Sequence, residues 1–253
     1  MDFTLSAYRD YVSLLAENEY SFLTYQQFMG LSSKPKKYCL IRHDVDRKPK
    51  NALKMAVLEQ ELGICSTYYF RMKPRTFNKE IVDKISKLGH EIGYHYESLS
   101  DARGDTNEAI KDFEKNLNKL RMVVPVATCS MHGRPLLPYD NRDLWKTEEN
   151  HNYLVRDLNL LGEIYLDIDY SNIAYINDTG RNWTSGKANK RDRVFSNINI
   201  DFKNSFELRN YLLNPTHNEI VFQIHPERWS DNQIEWHIQN LKDMVINTIK
   251  KFL

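Results

Sequence analysis

Apolar runs of strand length alternate along the chain with amphipathic segments of helix length. Runs rich in β-branched and aromatic residues predict six strands, over residues 38–43, 66–71, 91–95, 125–130, 163–169 and 219–225. Strands that alternate with helices form βα units around a mainly parallel sheet. The pattern therefore predicts an α/β fold, and six such runs favour a distorted (β/α) barrel over an open doubly wound sheet.

The helical segments carry their own signals. The segments 49–62 and 78–88 are each followed by a glycine, Gly63 and Gly89, which is the usual residue just past a helix end. Apolar stripes at spacings of three and four predict three further helices with one buried face each. These stripes are Leu5, Tyr8, Val12 and Leu15; Ile110, Phe113, Leu117 and Leu120; and Ile234, Ile238, Leu241, Val245, Ile249 and Phe252. We expect the last helix to pack on the sheet, with a coiled coil as the alternative.

No internal repeat and no linker rich in Pro, Gly or Ser divides the 253 residues. We therefore expect a single domain over residues 1–253, in which residues 1–37 form an N-terminal helical extension packed on the barrel.

Composition narrows the class of protein. With 35 basic and 34 acidic side chains the formal net charge is +1, which argues against a nucleic-acid binder. No stretch approaches the roughly 18 apolar residues of a membrane span. The first residues are charged where a signal peptide has an apolar core, so we expect a cytoplasmic protein.

The cysteines Cys39, Cys65 and Cys129 are predicted to be buried free thiols in a reducing compartment. The oligomeric state is left open.

Ionisable residues lie at the end of every predicted strand or just after it, and the run 163–169 carries two of them. In chain order they are His43, Asp44 and Asp46; Arg71; His95 and Glu97; His132 and Arg134; Asp167 and Asp169; and His225 and Glu227. The carboxyl ends of parallel strands meet on one face of an α/β fold, and ligands bind there. The sequence therefore predicts one polar site at the mouth of the barrel.

Several of these residues suggest specific chemistry. Asp44 and Asp46 point the same way on extended backbone, so a metal, an arginine or a shared proton must offset their repulsion; a solvated turn is the alternative. His95 is a candidate metal ligand, and a structural histidine is the alternative. His132 is a candidate ligand or substrate contact. His225 emerges from a buried strand and suits a general acid or base, because its pKa lies near neutrality.

Other signals refine this picture. Trp183 and Trp229 fall in loops at the predicted mouth, where they could stack on a sugar ring, although core packing is the alternative.

The chain has no GxSxG, GxGxxG, Walker A, HExxH or CxxC motif. Nucleophilic serine or cysteine chemistry and dinucleotide binding are therefore unsupported.

Three motifs together resemble a known family. Arg-His-Asp-Val-Asp ends the first predicted strand at 42–46, Gly-His-Glu-Ile-Gly-Tyr-His covers 89–95, and a late strand ends in Ile224-His225. In this order they resemble the polysaccharide deacetylase superfamily of metal-dependent carbohydrate esterases, over residues 38 to 250. The first motif resembles a bacterial subgroup often found with genes for surface-polysaccharide biosynthesis. The resemblance implies the same distorted barrel.

The resemblance also implies roles for individual residues. Asp44 would be the catalytic base, Asp46 a metal ligand, His95 the first of two metal-binding histidines and His225 the catalytic acid. The position of the second histidine holds Leu99, which cannot bind a metal.

A catalytic zinc site usually has three protein ligands. The third ligand must then come from His132, Glu97 or His43, and we favour His132 because it leaves the mouth end of a neighbouring strand. The family places an arginine beside the base, for which Arg134, Arg42 and Arg71 are candidates. Arg71, Arg134, Trp183 and Trp229 are the predicted substrate contacts.

The function implied is removal of an N-acetyl or related N-acyl group from an amino sugar in surface-polysaccharide biosynthesis. The cofactor would be a divalent metal, with zinc favoured, and the partner a carbohydrate substrate. One alternative is a degenerate barrel that binds carbohydrate without hydrolysing it. Another keeps metal-dependent hydrolysis but acts on a small amide or a nucleotide-linked sugar.

Overall fold

A computed structural model describes residues 2–134, 136–181, 183–184 and 194–250. Its α-helices are α1 (Leu5–Glu17), α2 (Tyr25–Gly30), α3 (Pro49–Glu61), α4 (Lys79–Lys87), α5 (Ser98–Asp101), α6 (Thr106–Arg121), α7 (Glu148–Asn152), α8 (Ser205–Leu213) and α9 (Gln233–Lys250). Its strands are β1 (Ser21–Leu23), β2 (Tyr38–Val45), β3 (Thr67–Phe70), β4 (Glu91–Tyr96), β5 (Thr128–Met131), β6 (Gly162–Glu163), β7 (Ala174–Asn177), β8 (Trp183–Thr184), β9 (Asp201–Phe202) and β10 (Glu219–Ile224).

One eight-stranded sheet organises the molecule. Its path runs β6-β5-β4-β3-β2-β10-β7, with β1 added beside β2, and all these pairings are parallel. The path ends at β6 on one side and β7 on the other, so the barrel is incompletely closed. Helices between the strands confirm the predicted α/β fold with a distorted barrel. A separate antiparallel pair joins β8 and β9.

Five of the six predicted strands are present, and the run 163–169 is the exception. Only residues 162–163 pair in the sheet, because the Glu163 carboxylate accepts hydrogen bonds from the backbone N–H groups of Tyr165 (2.7 Å) and Leu166 (3.1 Å) and so turns the chain. Asp167 caps this turn by accepting from the Glu163 N–H (2.6 Å). It therefore does not join the predicted site. Strands β1 and β7 were not predicted.

The predicted helix ends agree closely with α3 and α4. Asn78 caps α4 by accepting from the Ile81 N–H, and Asp105 caps α6 in the same way. The N-terminal segment is not purely helical, because β1 pairs with β2.

The C-terminal helix corrects the sequence-based expectation. Along α9 the apolar stripe faces outward, with Ile238 50 % and Leu241 63 % exposed. The opposite, polar face is buried, as Gln239 and Asp243 show. Asp243 lies 3.4 Å from Arg181 and 3.7 Å from Arg228, so charge pairing rather than apolar packing orients this helix. The side chain of Ile249, and Phe252, lie outside the described residues.

Two further expectations concern membranes and thiols. Within the described ranges, no helix is both long and apolar enough for a membrane span. The three cysteines are free, with Cys39 and Cys129 buried and Cys65 half-buried.

Candidate metal centre

The carboxyl ends of three parallel strands in one half of the sheet bring three potential metal ligands together. Asp46 follows β2, His95 lies near the end of β4, and His132 follows β5. The Nε2 atoms of His95 and His132 lie 3.4 Å and 3.3 Å from Asp46 Oδ1. One ligand atom from each residue falls within 4.8 Å of the others. These are the three residues proposed as ligands from the sequence, and the fold places them in one cluster.

The donor set fits a divalent metal. Asp46 Oδ1 is buried and has no hydrogen-bond partner among the described residues, although two imidazoles converge on it. The Nδ1 atom of His95 is hydrogen-bonded to the Ser130 carbonyl oxygen (2.9 Å), whereas Nδ1 of His132 lies 3.2 Å from Glu97 Oε2 in an ion pair that lacks hydrogen-bond geometry. Metal-binding histidines almost always have such an acceptor on the nitrogen that faces away from the ion. One carboxylate and two imidazoles are typical zinc ligands.

Opposite charges hold the three residues of the cluster together. Burial raises the pKa of Asp46, but the neighbouring His132 and His95 outweigh burial and bring this pKa well below its usual range. Burial lowers the pKa of His132, and Asp46 and Glu97 reverse that effect and raise it to about 9. The three residues thus form a buried acid–base cluster in which His132 must release its proton for a metal to bind.

Glu97 is an outer partner of this cluster. Its carboxylate accepts a hydrogen bond from Arg71 (2.7 Å) and lies 3.4 Å from Lys73 Nζ. Burial raises the pKa of Glu97, but His132 and Arg71 bring it below its usual range. Of the three candidates for the third ligand, the geometry therefore favours His132, with Glu97 orienting its ring.

Replacing Glu97 with glutamine should weaken metal binding by about 10- to 100-fold, the range found for outer-shell partners of metal-binding histidines. The amide cannot supply the negative charge that orients His132. Isothermal titration of the metal-free protein with Zn²⁺ would measure this. Asp101→Asn is the matched control, because Asp101 contacts Lys73 (2.5 Å) and Arg134 (2.9 Å) of the same charge cluster without contacting His132. Equal losses in both variants would contradict an orienting role for Glu97.

His43, the remaining candidate for the third ligand, lies on the other face of the sheet. Side chains alternate along β2, so His43 points to the face opposite Asp44. There its Nε2 lies 2.6 Å from the fully buried carboxylate of Glu59, which also accepts hydrogen bonds from Ser66 and Tyr68 (2.7 Å each). Burial raises the pKa of Glu59, and His43 brings it down to about 2. Leu99 is buried in the hydrophobic core.

Asp44 is held by three hydrogen-bond donors beside the cluster. Arg42 donates from Nε (2.6 Å) and from Nη2 (2.7 Å), and Gln223 donates from its amide (2.7 Å). The Tyr175 hydroxyl donates to the Gln223 amide oxygen (2.7 Å), which fixes the amide orientation. Burial raises the pKa of Asp44, but Arg42 and the nearby His95 lower it below its usual value. Among the three arginines considered, Arg42 is the one that pairs with this carboxylate.

His225 approaches the same carboxylate from β10. Its Nε2 lies 4.0 Å from Asp44 Oδ2, while its Nδ1 lies 2.6 Å from Asp178 Oδ1. Burial and Arg228 lower the pKa of His225, and Asp178 and Asp44 outweigh them and raise it. The Trp229 indole N–H donates to Asp178 (2.7 Å). Asp178 was not identified from the sequence, although it directly follows the apolar segment that forms β7.

The two tryptophans are core residues. The Trp183 ring stacks on the Phe3 ring with centroids 5.1 Å apart. Trp229 is fully buried, and its ring packs against the same Phe3 ring. Neither presents a ring face for stacking on a sugar, which corrects the expectation from their loop positions. Arg71 and Arg134 do lie beside the cluster, with side chains 20 % and 37 % exposed.

The comparisons with known proteins bear on the fold of the chain. No family model and no curated protein sequence matches the chain. Among solved structures, the chain is similar to a CE4 esterase from Streptococcus mutans (13 % identity, 90 % of this chain and 88 % of that one, TM-score 0.48). It is similar to a family 4 carbohydrate esterase from Bacillus anthracis (12 %, 94 % and 85 %, TM-score 0.40). It is also similar to a CE4 family pseudoenzyme from Bacillus anthracis (10 %, 84 % and 62 %, TM-score 0.40).

The class of protein follows from the fold and the site. The chain is an α/β protein with an incompletely closed parallel barrel and a candidate Asp-His-His metal centre at the carboxyl edge of its sheet.

Proposed function

We propose that this protein is a metal-dependent hydrolase that removes an N-acetyl or related N-acyl group from an amino sugar. The observation that carries the proposal is the convergence of three parts at one sheet edge. These parts are the cluster of Asp46, His95 and His132, the buried carboxylate of Asp44, and the pair of His225 and Asp178. The motif resemblance to polysaccharide deacetylases points to the same chemistry.

The Asp46, His95 and His132 cluster would hold a divalent cation, with zinc favoured by its ligand types. When bound, such an ion polarises a carbonyl oxygen and lowers the pKa of water. Asp44 Oδ2 lies 3.8 Å from His95 Nε2, so the carboxylate is placed to accept the proton of the water that attacks the acyl carbon. Arg42 keeps this carboxylate ionised and fixes its orientation.

His225 would act as the general acid. Asp178 holds Nδ1, so Nε2 faces the site and carries the proton that is transferred. The raised pKa of His225 favours the protonated form of the ring. As the C–N bond breaks, transfer of this proton lets the nitrogen leave as an amine, and the products are a carboxylate and an amino sugar.

The rim of the site supports a carbohydrate substrate. The partly exposed guanidinium groups of Arg71 and Arg134 lie beside the cluster and are the substrate contacts we propose. The free thiols are compatible with a reducing compartment, and we propose a cytoplasmic role in surface-polysaccharide biosynthesis. The substrate would then be a precursor sugar rather than a finished polymer.

A second candidate function is carbohydrate binding without hydrolysis. It is favoured by the three donors that already occupy the Asp44 carboxylate and leave it little capacity to accept a proton. Leu99 in place of a second motif histidine supports the same alternative.

The two functions differ in what is released. The purified chain, loaded with Zn²⁺, would be incubated with free, nucleotide-linked and oligomeric N-acetylhexosamines, and acetate release would be measured. A hydrolase releases acetate, stops when a chelator removes the metal and recovers when Zn²⁺ is restored. Saturable binding of the same sugars without acetate would support the binding function instead.

A further inference from the structure

The C-terminal helix exposes an apolar stripe that no described residue covers. Ile234, Ile238, Leu241 and Val245 are each half-exposed or more, at 50–72 %. Burial of the opposite face fixes this orientation, because Asp243 faces Arg181 and Arg228. Asn247 adds a hydrogen bond from its amide to the Gly180 carbonyl oxygen (2.8 Å). If the helix turned the stripe inward, apolar side chains would replace Asp243 beside Arg181 and Arg228, and these two arginines would lose this charge partner.

The spacing of the stripe is that of a helix pair. Successive members are separated by four, three and four residues, which is the 3.5-residue period of a coiled-coil seam. Branched aliphatic side chains fill all four positions. A single partner helix with the same period would cover the whole stripe, and a second copy of α9 carries that period.

We propose that α9 pairs with α9 of a second copy in antiparallel orientation. Glu235 and Lys242 lie on the same flank of the stripe, seven residues apart. When two identical helices pack antiparallel about a two-fold axis, each flank meets its own counterpart. Glu235 then lies opposite the partner's Lys242, and the symmetry repeats this pair. In a parallel pair Lys242 would instead lie near the partner's His237, and the opposite charges would not meet.

The size of the surface sets the strength of this dimer. In the register that places Glu235 opposite the partner's Lys242, about 12 residues of each helix overlap over about 18 Å, so the pair buries at most on the order of 1,000 Å² in total, the lower limit for a specific interface. We therefore expect a dimer that dissociates on dilution through the micromolar range rather than an obligate one.

Sedimentation velocity of the full chain over about 1–200 μM would test the pairing. The wild type should shift from the 30.0 kDa monomer to a species of twice that mass. Leu241→Glu should weaken the dimer by about 100-fold or more, because two buried leucines are lost per dimer. Met122→Glu is the matched control, since Met122 is 74 % exposed elsewhere. Lys242→Glu alone should weaken the dimer, and adding Glu235→Lys should restore it.

Several results would overturn the proposal. A wild type that stays monomeric over the whole range contradicts it, as does a dimer that Leu241→Glu leaves intact. Failure of the charge swap to restore the dimer excludes the antiparallel arrangement. Monomeric protein that binds vesicles of phosphatidylglycerol and phosphatidylcholine through Leu241 would assign the stripe to a lipid surface instead. None of these measurements depends on catalytic activity.

Discussion

Replacing Asp46 with alanine is expected to remove the bound metal and the hydrolytic activity together. Asp46 Oδ1 is the atom on which both imidazoles converge, and Asp46 supplies the one carboxylate of this cluster of three described residues. Two neutral imidazoles alone would bind a divalent ion much more weakly. The loss should exceed the roughly 10- to 100-fold expected for an outer-shell partner. His132→Gln should behave in the same way.

Metal content by mass spectrometry after dialysis against Zn²⁺, and acetate release from the best substrate, would measure the two effects. His151→Gln is a suitable control, because His151 pairs with Asp167 (3.0 Å) in a region outside the cluster. If Asp46→Ala retained stoichiometric metal, the ion would be held by other residues, and the proposed centre would be wrong.

Replacing His225 with alanine should lower kcat by about 10²- to 10⁴-fold while leaving metal content unchanged. The ring lies 4.0 Å from Asp44 and is held by Asp178, and it is not part of the metal cluster. Removing it takes away the proton donor for the leaving amine without removing a ligand. Activity toward a substrate whose leaving group needs no proton should be much less affected.

The pH dependence separates proton donation from simple positioning. The pKa of His225 is raised, so the ring is protonated below that pKa and loses its proton as pH rises through it. If His225 is the general acid, kcat should therefore fall as the pH rises above the pKa of this ring. Asp178→Asn removes the charge that raises this pKa, and the alkaline limb should move to lower pH. An unchanged alkaline limb in that variant would argue that His225 does not donate the proton.

The central sheet was predictable because its strands are strongly apolar. Strands β2, β4 and β10 are buried on both faces and lie in apolar runs bounded by polar or glycine residues. By contrast, β7 has only four residues, and its short apolar segment lies between polar residues, so it gave no comparable signal. The run 163–169 was misassigned because a side-chain contact of Glu163, rather than local propensity, ends the strand.

The site was predictable where it depends on strand ends, and less so where it depends on contacts. Asp46, His95 and His132 follow from the rule that the carboxyl ends of parallel strands lie along one edge of the sheet. Gln223 could not be found this way, because it lies within β10 and meets Asp44 through packing between strands distant in sequence. Asp178 does follow a strand end, but the sequence pattern did not predict that strand, β7. The same limit applies to α9, where periodicity reveals an apolar face but not which surface covers it.

The position of β10 has a consequence for biosynthesis. This strand is the last of the sheet along the chain, yet it lies between β2 and β7. During translation β2 therefore keeps one unpaired edge, and Arg42 and Asp44 lack the Gln223 amide, until residues 219–224 have left the ribosome. A nascent chain that pauses before this point exposes an aggregation-prone strand edge. Chaperone binding during synthesis should therefore be strongest in that interval.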